Sequence, residues 1–381
     1  MQPLVKEAQT LFKTQSKTIQ NSSQANKGLV FDRFFDGYSD DFSVAQGKDT
    51  DELSKLVGAC GNSQQLRDSA TRRIQLTTAL GGKFGVFKTD WHFVTGMGNN
   101  HPAENGFSWH RTLGTPYLPG SAVKGLLRAW MEEWQLGGED NKEERAELVH
   151  AWFGRDAKTE GSSAGGKAGD LIFFDALPVE PPTVQVDIMT PHMGKWYEKG
   201  DDRIDAESQP GDWHSPVPVS FLVTSDARFV FAIAPRTEAA KKHVEEAFEH
   251  LQKALAWLGA GAKTAAGYGH MSFDEKDSLD RFKRAKREQE EAEQARLLAS
   301  LSEEQQIIAS FTQRRKAGED KNVGGGGQLA QDMAAACEAA EGWSAEDKKA
   351  RDAEARAVLK HVGINLRKNN RWRQRLNALA E

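Results

Sequence analysis

Between residues 53 and 275, short apolar runs typical of strands alternate with segments whose apolar positions recur every three or four residues, as in helices. Strands are predicted for KFGVFKTDWHFVTGMG, DLIFFDALPV and TVQVDIMTPH, and a hairpin is predicted for SFLVTSDARFVFAIAP. Helices are predicted for SAVKGLLRAWMEEWQL and for residues 237–258. Strands and helices mixed in this order predict an α+β domain with a largely antiparallel sheet.

The segments on either side of this domain have a different pattern. Residues 1–52 are mostly polar, so we expect an N-terminal extension with little regular structure, whose few aromatic side chains dock on a partner or on the chain's own core. Residues 276–323 predict a charged helical segment that ends in a flexible joint at NVGGGG. Residues 324–381 predict further helices, the second opened by Ser344, and a basic tail.

The basic tail combines one aromatic residue with many positive charges. Trp372 lies among five basic residues, which are Arg367, Lys368, Arg371, Arg373 and Arg375. Such a mixture suits phosphate attraction and stacking on a base or on another protein. For the charged helices in general, the alternative is a face that only meets solvent.

Composition limits the classes of function. The net charge of the 381 residues is −5, so a basic RNA-binding surface would have to be local. Cys60 and Cys337 are too few for a disulfide framework and do not form a zinc motif, which favours the reducing cytoplasm and predicts no cofactor. No apolar run has the length of a membrane span, so we expect no membrane contact.

The stretch LGAGAKTAAGYGH, residues 258–270, resembles a phosphate-binding loop at first sight. It lacks both glycines of the P-loop and the third glycine of the dinucleotide motif, and it follows a helix instead of preceding one. A nucleotide site is therefore disfavoured. Two interpretations stay open: a structural turn, or a loop whose amides and Lys263 contact RNA phosphates. Gly259 is predicted to end the helix, and a short strand is predicted around Met271.

A second candidate is YLPGSAVKGLLRAW. Ser121 is predicted as the N-cap of a helix whose first amides can face an anion. Lys124 and Arg128 lie four residues apart, so both can reach the same phosphate backbone. The alternative is an ordinary amphipathic helix with two long basic side chains lying along its surface.

Histidines provide the third set of candidates. Five of them lie in or beside loops, namely His92, His101, His110, His192 and His214, and Asp187 precedes His192 by five residues. Acid–base cleavage of RNA needs an imidazole beside the 2′-hydroxyl with help from a carboxylate or a lysine. No spacing typical of a metal site occurs, and a structural role is favoured for each histidine taken singly.

Five segments occur in a fixed order along the chain: HPAENGFSWH, LGTPYLPGSAVKGLLRAW, GDLIFFDALPV, VDIMTPHM and LGAGAKTAAGYGHMSF. Together they resemble the RAMP proteins of CRISPR systems, in particular those of the type III-B Cmr effector complex. The resemblance covers roughly residues 75–275. It implies a ferredoxin-like core of the RNA-recognition-motif type with insertions, to which the charged C-terminal helices are an addition. The alternation of strands and helices extends the predicted RAMP domain to residues 53–275.

This resemblance also implies a function. A non-catalytic subunit would cap the backbone filament of a ribonucleoprotein that targets foreign RNA, and its partners would be guide CRISPR RNA, target RNA and other Cmr-type subunits. The residues implied to lie by the guide RNA are Ser121, Lys124, Arg128, His192, Gly259, Gly261, Lys263, Thr264, Gly267, Tyr268 and Gly269. No residue here matches the catalytic aspartate of the family's backbone subunit. Two alternatives are a metal-independent endoribonuclease that processes guide precursors with His192 or His110 as base, and a scaffold that contacts only proteins.

Overall fold

A computed structural model describes residues 25–35, 37–38, 44, 48–134, 142–155, 166–199, 208–209, 211, 213–340 and 343–380. The chain divides into two compact units, Met1–Lys286 and Arg287–Glu381, which we call the N-terminal unit and the helical unit. Neither the predicted limit at residue 275 nor the one at residue 323 coincides with this division.

The N-terminal unit contains helices and strands in alternation. Its helices are α1 (Lys27–Arg33), α2 (Lys48–Ser54), α3 (Ser63–Ala79), α4 (Gly120–Ala129), α5 (Lys142–Phe153), α6 (Gly194–Lys199) and α7 (Val244–Trp257). Its strands are β1 (Gly58–Ala59), β2 (Lys83–Thr89), β3 (Asn100–His101), β4 (Glu104–Asn105), β5 (Trp109–His110), β6 (Thr115–Pro116), β7 (Gly154–Arg155), β8 (Lys167–Ala168), β9 (Leu171–Phe173), β10 (Leu177–Pro178), β11 (Thr183–Met189), β12 (Val219–Ser225), β13 (Arg228–Pro235) and β14 (Met271–Asp274). Helix α8 (Glu275–Ala299) crosses the division between the units.

The central sheet has the order β10-β13-β2-β14, and β9 also pairs with β13. Every pair in it is antiparallel, which confirms the α+β prediction. Because successive side chains of a strand point to opposite faces, alternate residues enter different cores. Phe229 and Phe231 pack with helices α4 and α7, whereas Val230 packs with Ala70 and Ile74 of α3. Both faces of the sheet are therefore covered by helices.

The predicted hairpin in SFLVTSDARFVFAIAP is wrong. Strands β12 and β13 follow each other closely around Asp226, whose φ is +48°, but they belong to different sheets. Strand β12 pairs with β11, which pairs with β1 on its other side in a three-stranded sheet, while β13 pairs with β2. All seven residues of β12 and nearly all of β13 are buried, so each strand needs cover on both faces that a simple hairpin would not provide.

The N-terminal extension is more regular than predicted. Helix α1 and most of α2 lie within it, and Phe31 and Phe35 are buried with Trp109 and Leu222 in a hydrophobic cluster. The ring of Phe31 stacks on His101 at a centroid distance of 3.7 Å. Of the two fates expected for these aromatic side chains, packing on the chain's own core is the one observed.

The helical unit contains the end of α8 and four further helices, α9 (Glu303–Lys316), α10 (Gln328–Glu338), α11 (Ala345–His361) and α12 (Asn370–Ala380). Ser344 accepts a hydrogen bond from the amide of Asp347, which confirms the predicted start of α11. The glycine joint does not separate two bodies, because the amide of Gly324 donates to Val362 O at 2.8 Å. Phe311, before this joint, shares one core with Leu329 and Leu359.

Trp372 does not lie on a surface that could stack with a base. It is only 6% exposed and belongs to the core of the helical unit, with Arg375 placed over its ring. Among the described residues, no helix is long and apolar enough to cross a membrane.

Candidate functional site

The glycine loop follows the end of α7, as its sequence predicts. Helix α7 ends at Trp257, and Gly259 has a φ of +74°. The other three glycines of the loop, Gly261, Gly267 and Gly269, also have positive φ values, and so does Lys263 at +58°. A lysine in this left-handed region is uncommon, and the surrounding contacts must hold it there.

Close packing explains two of these glycines. A Cβ atom on Gly261 would lie 1.9 Å from the carbonyl oxygen of Val94, and one on Gly269 would lie 1.9 Å from that of Ala260. A Cβ on Gly267 would meet nothing within 4 Å. The loop thus packs closely against the segment at residues 90–94. At Gly261 and Gly269 glycine is required by packing, as the interpretation of the loop as a structural turn predicts.

Most amides of the loop are already engaged. The amides of Ala262 and Gly269 donate to Val94 O and His92 O at 2.8 and 2.7 Å. These bonds tie the loop to residues 90–94, which in turn bond to Thr224 of β12 through Phe93. Within the described part of the chain, no hydrogen bond is found for the amides of Gly261, Lys263, Thr264, Ala265 and His270. These are the amides of the loop that could bind an anion, and Thr264 and Ala265 directly follow Lys263.

Lys263 lies over aromatic rings. Its Nζ is 5.4 Å from the ring centroid of Phe221, 5.9 Å from that of Tyr268, and 3.7 Å from the Sδ of Met189. These distances are within the range of cation–π attraction. Trp91 stacks on His92, with centroids 4.5 Å apart, and lies 4.7 Å from Tyr268. We call this group the Lys263 cluster; it comprises Trp91, His92, Asp187, Met189, Phe221, Lys263 and Tyr268.

Asp187 holds the cluster together. Its Oδ2 accepts a hydrogen bond of 2.7 Å from the Tyr268 hydroxyl and lies 3.2 Å from His92 Nδ1, while its Oδ1 accepts from the amide of Ile188. Burial raises the pKa of Asp187, but these hydrogen bonds lower it by a larger amount. The pKa of Asp187 is therefore below the usual 3.8. The carboxylate is therefore ionised at neutral pH and fixes the rings of Tyr268 and His92.

The Tyr268 hydroxyl should lose its proton at a higher pH than an ordinary tyrosine does. Burial and the hydrogen bond to Asp187 raise the pKa of Tyr268 from 10.0 to about 12. Because the folded-state pKa is the higher one, this group's contribution to stability is complete below pH 10 and is lost as the pH rises through about 12. We expect the ultraviolet difference between the unaltered chain and Tyr268→Phe to show phenolate forming near pH 12. A difference that titrates near the usual 10.0 would contradict the bond to Asp187.

The helix α4 residues have structural contacts. Ser121 is not the N-cap, because Pro119 precedes the helix and the amide of Gly120 donates to Asp175 Oδ1 at 2.7 Å. A carboxylate thus already occupies the helix start. Lys124 Nζ donates to Phe153 O at 2.6 Å, and Arg128 pairs with Glu132. Their role in RNA binding stays a prediction.

The histidines named for catalysis are not paired with carboxylates. His192 is exposed just beyond β11 and makes no hydrogen bond or ion pair with another described residue. His110 Nδ1 contacts Thr112 Oγ1 and the Leu113 amide, and burial lowers the pKa of His110. The partner of Asp187 is His92, which is distant in sequence, and not His192, which is five residues away.

Sequence reasoning missed Trp91 as a site residue. The available signal was a tryptophan in the loop just after the apolar strand β2. In the structure, the side chain of Trp91 is 50% exposed. Among the described residues, no group of three or more His, Cys, Asp or Glu side chains could hold a metal ion.

Comparison with known proteins gives the family. Residues 86–272 match the RAMP superfamily. Over 232 residues the chain is 30% identical to the CRISPR system Cmr subunit Cmr6 of Pyrococcus furiosus, covering 49% of this chain and 66% of that protein. It is 25% identical over 167 residues to the Cmr6 subunit of Saccharolobus solfataricus, covering 43% of this chain and 47% of that protein. The chain thus spans just under two thirds of one curated relative and about half of the other.

Solved structures also overlap with the chain. The crystal structure of Cmr6 from Pyrococcus furiosus has 27% identity and a TM-score of 0.29, covering 51% of this chain and 97% of that one. A chain of the type III-B Cmr-beta complex bound to cognate target RNA has 16% identity and a TM-score of 0.44, covering 70% of this chain and 95% of that one. Residues 86–272 therefore carry a RAMP domain, and over about half of its length this chain is similar to Cmr6 subunits.

Proposed function

We propose that this chain is a non-catalytic, guide-RNA-binding subunit that caps the backbone filament of a type III-B CRISPR ribonucleoprotein in the cytoplasm. Its partners would be guide CRISPR RNA, target RNA and other Cmr-type subunits. The family match and the Cmr6 relatives support the assignment to such a complex. The observation that carries RNA binding is Lys263, held over aromatic rings beside the half-exposed Trp91.

A ferredoxin-like core is part of this proposal. The order of β10, β13, β2 and β14 in the central sheet, with α4 after β2 and α7 after β13, is the arrangement that a βαββαβ chain produces. Both of these helices pack against the same face of the sheet, through residues of one hydrophobic cluster. Helix α3 on the opposite face is then an addition to that core.

The Lys263 cluster suits a single RNA strand. An ammonium group placed beside aromatic side chains can neutralise a phosphate while a neighbouring base stacks on a ring. Trp91 provides the exposed ring, and the unpartnered amides of Thr264 and Ala265 can bind the same phosphate. Asp187 adds a negative charge nearby, but three hydrogen-bond donors already surround it.

The other predicted residues can extend this contact. Lys124 has three N–H donors, of which the carbonyl of Phe153 takes one. Arg128 uses Nε for Glu132, which leaves its terminal nitrogens for a phosphate. Ser121 and His192 are both exposed. We include all four in the proposed guide-RNA path.

Two substitutions separate the phosphate contact from the stacking contact. Lys263→Ala should weaken binding of single-stranded RNA about tenfold, the size of one charge-assisted hydrogen bond, and should lower the salt slope by about 0.7. Trp91→Ala should weaken binding by about tenfold or more without changing the slope, since stacking releases no counterion. Both constants are measured by fluorescence anisotropy at several salt concentrations.

Lys242→Ala is the matched control, because this exposed lysine lies two residues before α7, and the helix separates it from the loop by about 20 Å. It should leave affinity and slope unchanged. Equal losses for Lys242→Ala and Lys263→Ala would show only general electrostatic attraction. If the unaltered chain does not bind RNA, and no crosslinks form near Lys263 in the assembled complex, the chain is a protein-binding scaffold instead.

One observation favours a second function, a metal-independent endoribonuclease that processes guide precursors. His92 is the histidine of the Lys263 cluster that lies beside a carboxylate, Asp187, and such a carboxylate can orient an imidazole that acts as a general base. For this alternative we therefore propose His92 as the base instead of His192 or His110. Discrete cuts in a repeat-containing transcript, made in the presence of EDTA and abolished by His92→Ala, would replace the non-catalytic proposal.

A further inference from the structure

The end of the helical unit concentrates positive charge. Residues 355–380 contain seven lysines and arginines and no aspartate or glutamate, whereas the whole chain has a net charge of −5. Such a local excess attracts anions even when the whole chain repels them. The surface is outside residues 86–272, which match the RAMP superfamily.

Part of this charge surrounds a cavity. It has a volume of about 380 Å³ and is lined by Arg356 of α11, Leu366 and Arg367 of the connecting segment, and Arg373, Leu376 and Asn377 of α12. This volume is in the range of small-ligand sites and can take a phosphate with its sugar. Among the described residues, no acidic side chain lines it.

Two of the three arginines that line the cavity are held in place by hydrogen bonds and have further N–H donors. Arg356 Nε donates to Asp352 Oδ2 at 2.8 Å, one turn earlier on α11. Arg373 donates through Nη2 to the backbone oxygen of Arg367 at 2.8 Å. Each guanidinium has five N–H donors, so these bonds orient the groups and leave most donors for a ligand. The planar guanidinium matches the geometry of a phosphate.

The backbone beneath the cavity is anchored. Trp372 and Leu376 of α12 are buried in the same core as Val358 and Leu359 of α11. The two helices that carry Arg356 and Arg373 are therefore fixed by apolar packing, which reduces the entropy lost when a ligand is bound. Arg375 is not part of the lining, because it pairs with Glu338.

We propose that this arginine cavity binds a backbone phosphate of RNA and gives the protein a second RNA contact, in the helical unit. The choice of RNA as the polyanion rests on the function proposed above. The lining contains three guanidinium groups, of which Arg356 is bonded to the carboxylate of Asp352, and Asn377 adds an amide that can bond to a phosphate or a sugar hydroxyl. Leu366 and Leu376 give the cavity an apolar part against which a ribose can pack.

The test compares two double variants of the full chain that remove equal charge. Arg367→Ala with Arg373→Ala empties the cavity of two arginines, whereas Lys368→Ala with Arg371→Ala removes two exposed charges of the same segment that do not line it. The cavity variant should bind single-stranded RNA about tenfold more weakly, with a salt slope lower by about 1.4 for two lost contacts. The control variant should stay within about twofold of the unaltered chain.

Asn377→Asp provides a second route if the cavity variant does not fold. It places a carboxylate among the arginines without a change in size. This variant should also weaken RNA binding about tenfold, because the new carboxylate repels the phosphate and pairs with the arginines. Unchanged RNA affinity in Asn377→Asp overturns the proposal, and so does unchanged affinity in a folded cavity variant. Equal losses in the two double variants also overturn it, because they show attraction to the basic segment as a whole.

The result separates this inference from the proposed function. Loss of RNA binding in Lys263→Ala together with full binding in the cavity variant overturns the cavity alone. The reverse pattern supports the cavity and contradicts the Lys263 cluster as the RNA site. If the cavity variant keeps its RNA affinity but loses an acidic protein subunit from the assembled complex, the surface binds protein and the inference is wrong.

Discussion

Gly261→Ala is expected to lower the free energy of unfolding of the N-terminal unit by about 3 kcal/mol. The new Cβ would lie 1.9 Å from Val94 O, the same oxygen that accepts the amide of Ala262. The clash and the φ of +88° each contribute about 1–2 kcal/mol. Since the loop would have to leave residues 90–94, Lys263 would also be displaced, and RNA binding should fall with stability.

Gly267→Ala is the matched control for this variant. Gly267 has the same φ of +88°, but a Cβ there meets nothing within 4 Å, so only the backbone strain of about 1 kcal/mol applies. By thermal unfolding we expect Gly261→Ala to lower the Tm by about 6–12 °C and Gly267→Ala by about 2–4 °C. Equal shifts in the two variants would show that the contact with Val94 does not matter.

Trp372→Ala should have a comparable or larger effect, about 3–5 kcal/mol, on the helical unit. The indole is 6% exposed and packs with Leu329, Met333 and Leu376, so its removal leaves a large cavity. Hydrogen exchange followed by mass spectrometry can report on each unit separately. We expect faster exchange in α10 and α11 of the variant and unchanged exchange in the central sheet of the N-terminal unit.

The neighbouring Arg371 provides the control for this substitution. Its side chain is exposed, so Arg371→Ala should change the stability of the helical unit by less than about 0.5 kcal/mol. If Trp372→Ala left exchange unchanged and weakened RNA binding alone, Trp372 would be a stacking residue, as its sequence context suggests. The buried position in the structure requires the opposite result.

Local patterns predicted many elements of the fold correctly. The apolar spacing in α7 and the glycine after it depend on neighbours within one or two helical turns, and such information is present in a short window. The same holds for Ser344 at the start of α11. The prediction of Ser121 as the N-cap is wrong, because the side chain that bonds to the first amide of the helix is that of Asp175, which is 54 residues away from Ser121 in sequence.

The candidate site was predicted only in part. The loop itself indicates Lys263, and the resemblance implies Tyr268, but their partners Trp91, His92 and Asp187 come from two other segments. Hydrogen bonds from the loop to His92 O and Val94 O bring the first of these segments into place. Asp187 and His192 are only five residues apart in sequence, but β11 ends between them, and the histidine beside Asp187 is His92.

By itself the sequence determined the α+β class, the positions of most helices and strands, the helix-before-loop order that disfavours a nucleotide site, and the resemblance to RAMP proteins. Each of these depends on residue type and short spacing. Only the tertiary structure decided which sheet β12 and β13 join, whether Trp372 is buried, and which side chains surround Lys263. Those outcomes depend on contacts between distant segments, and their free energy comes from burial and pairing that no single segment contains.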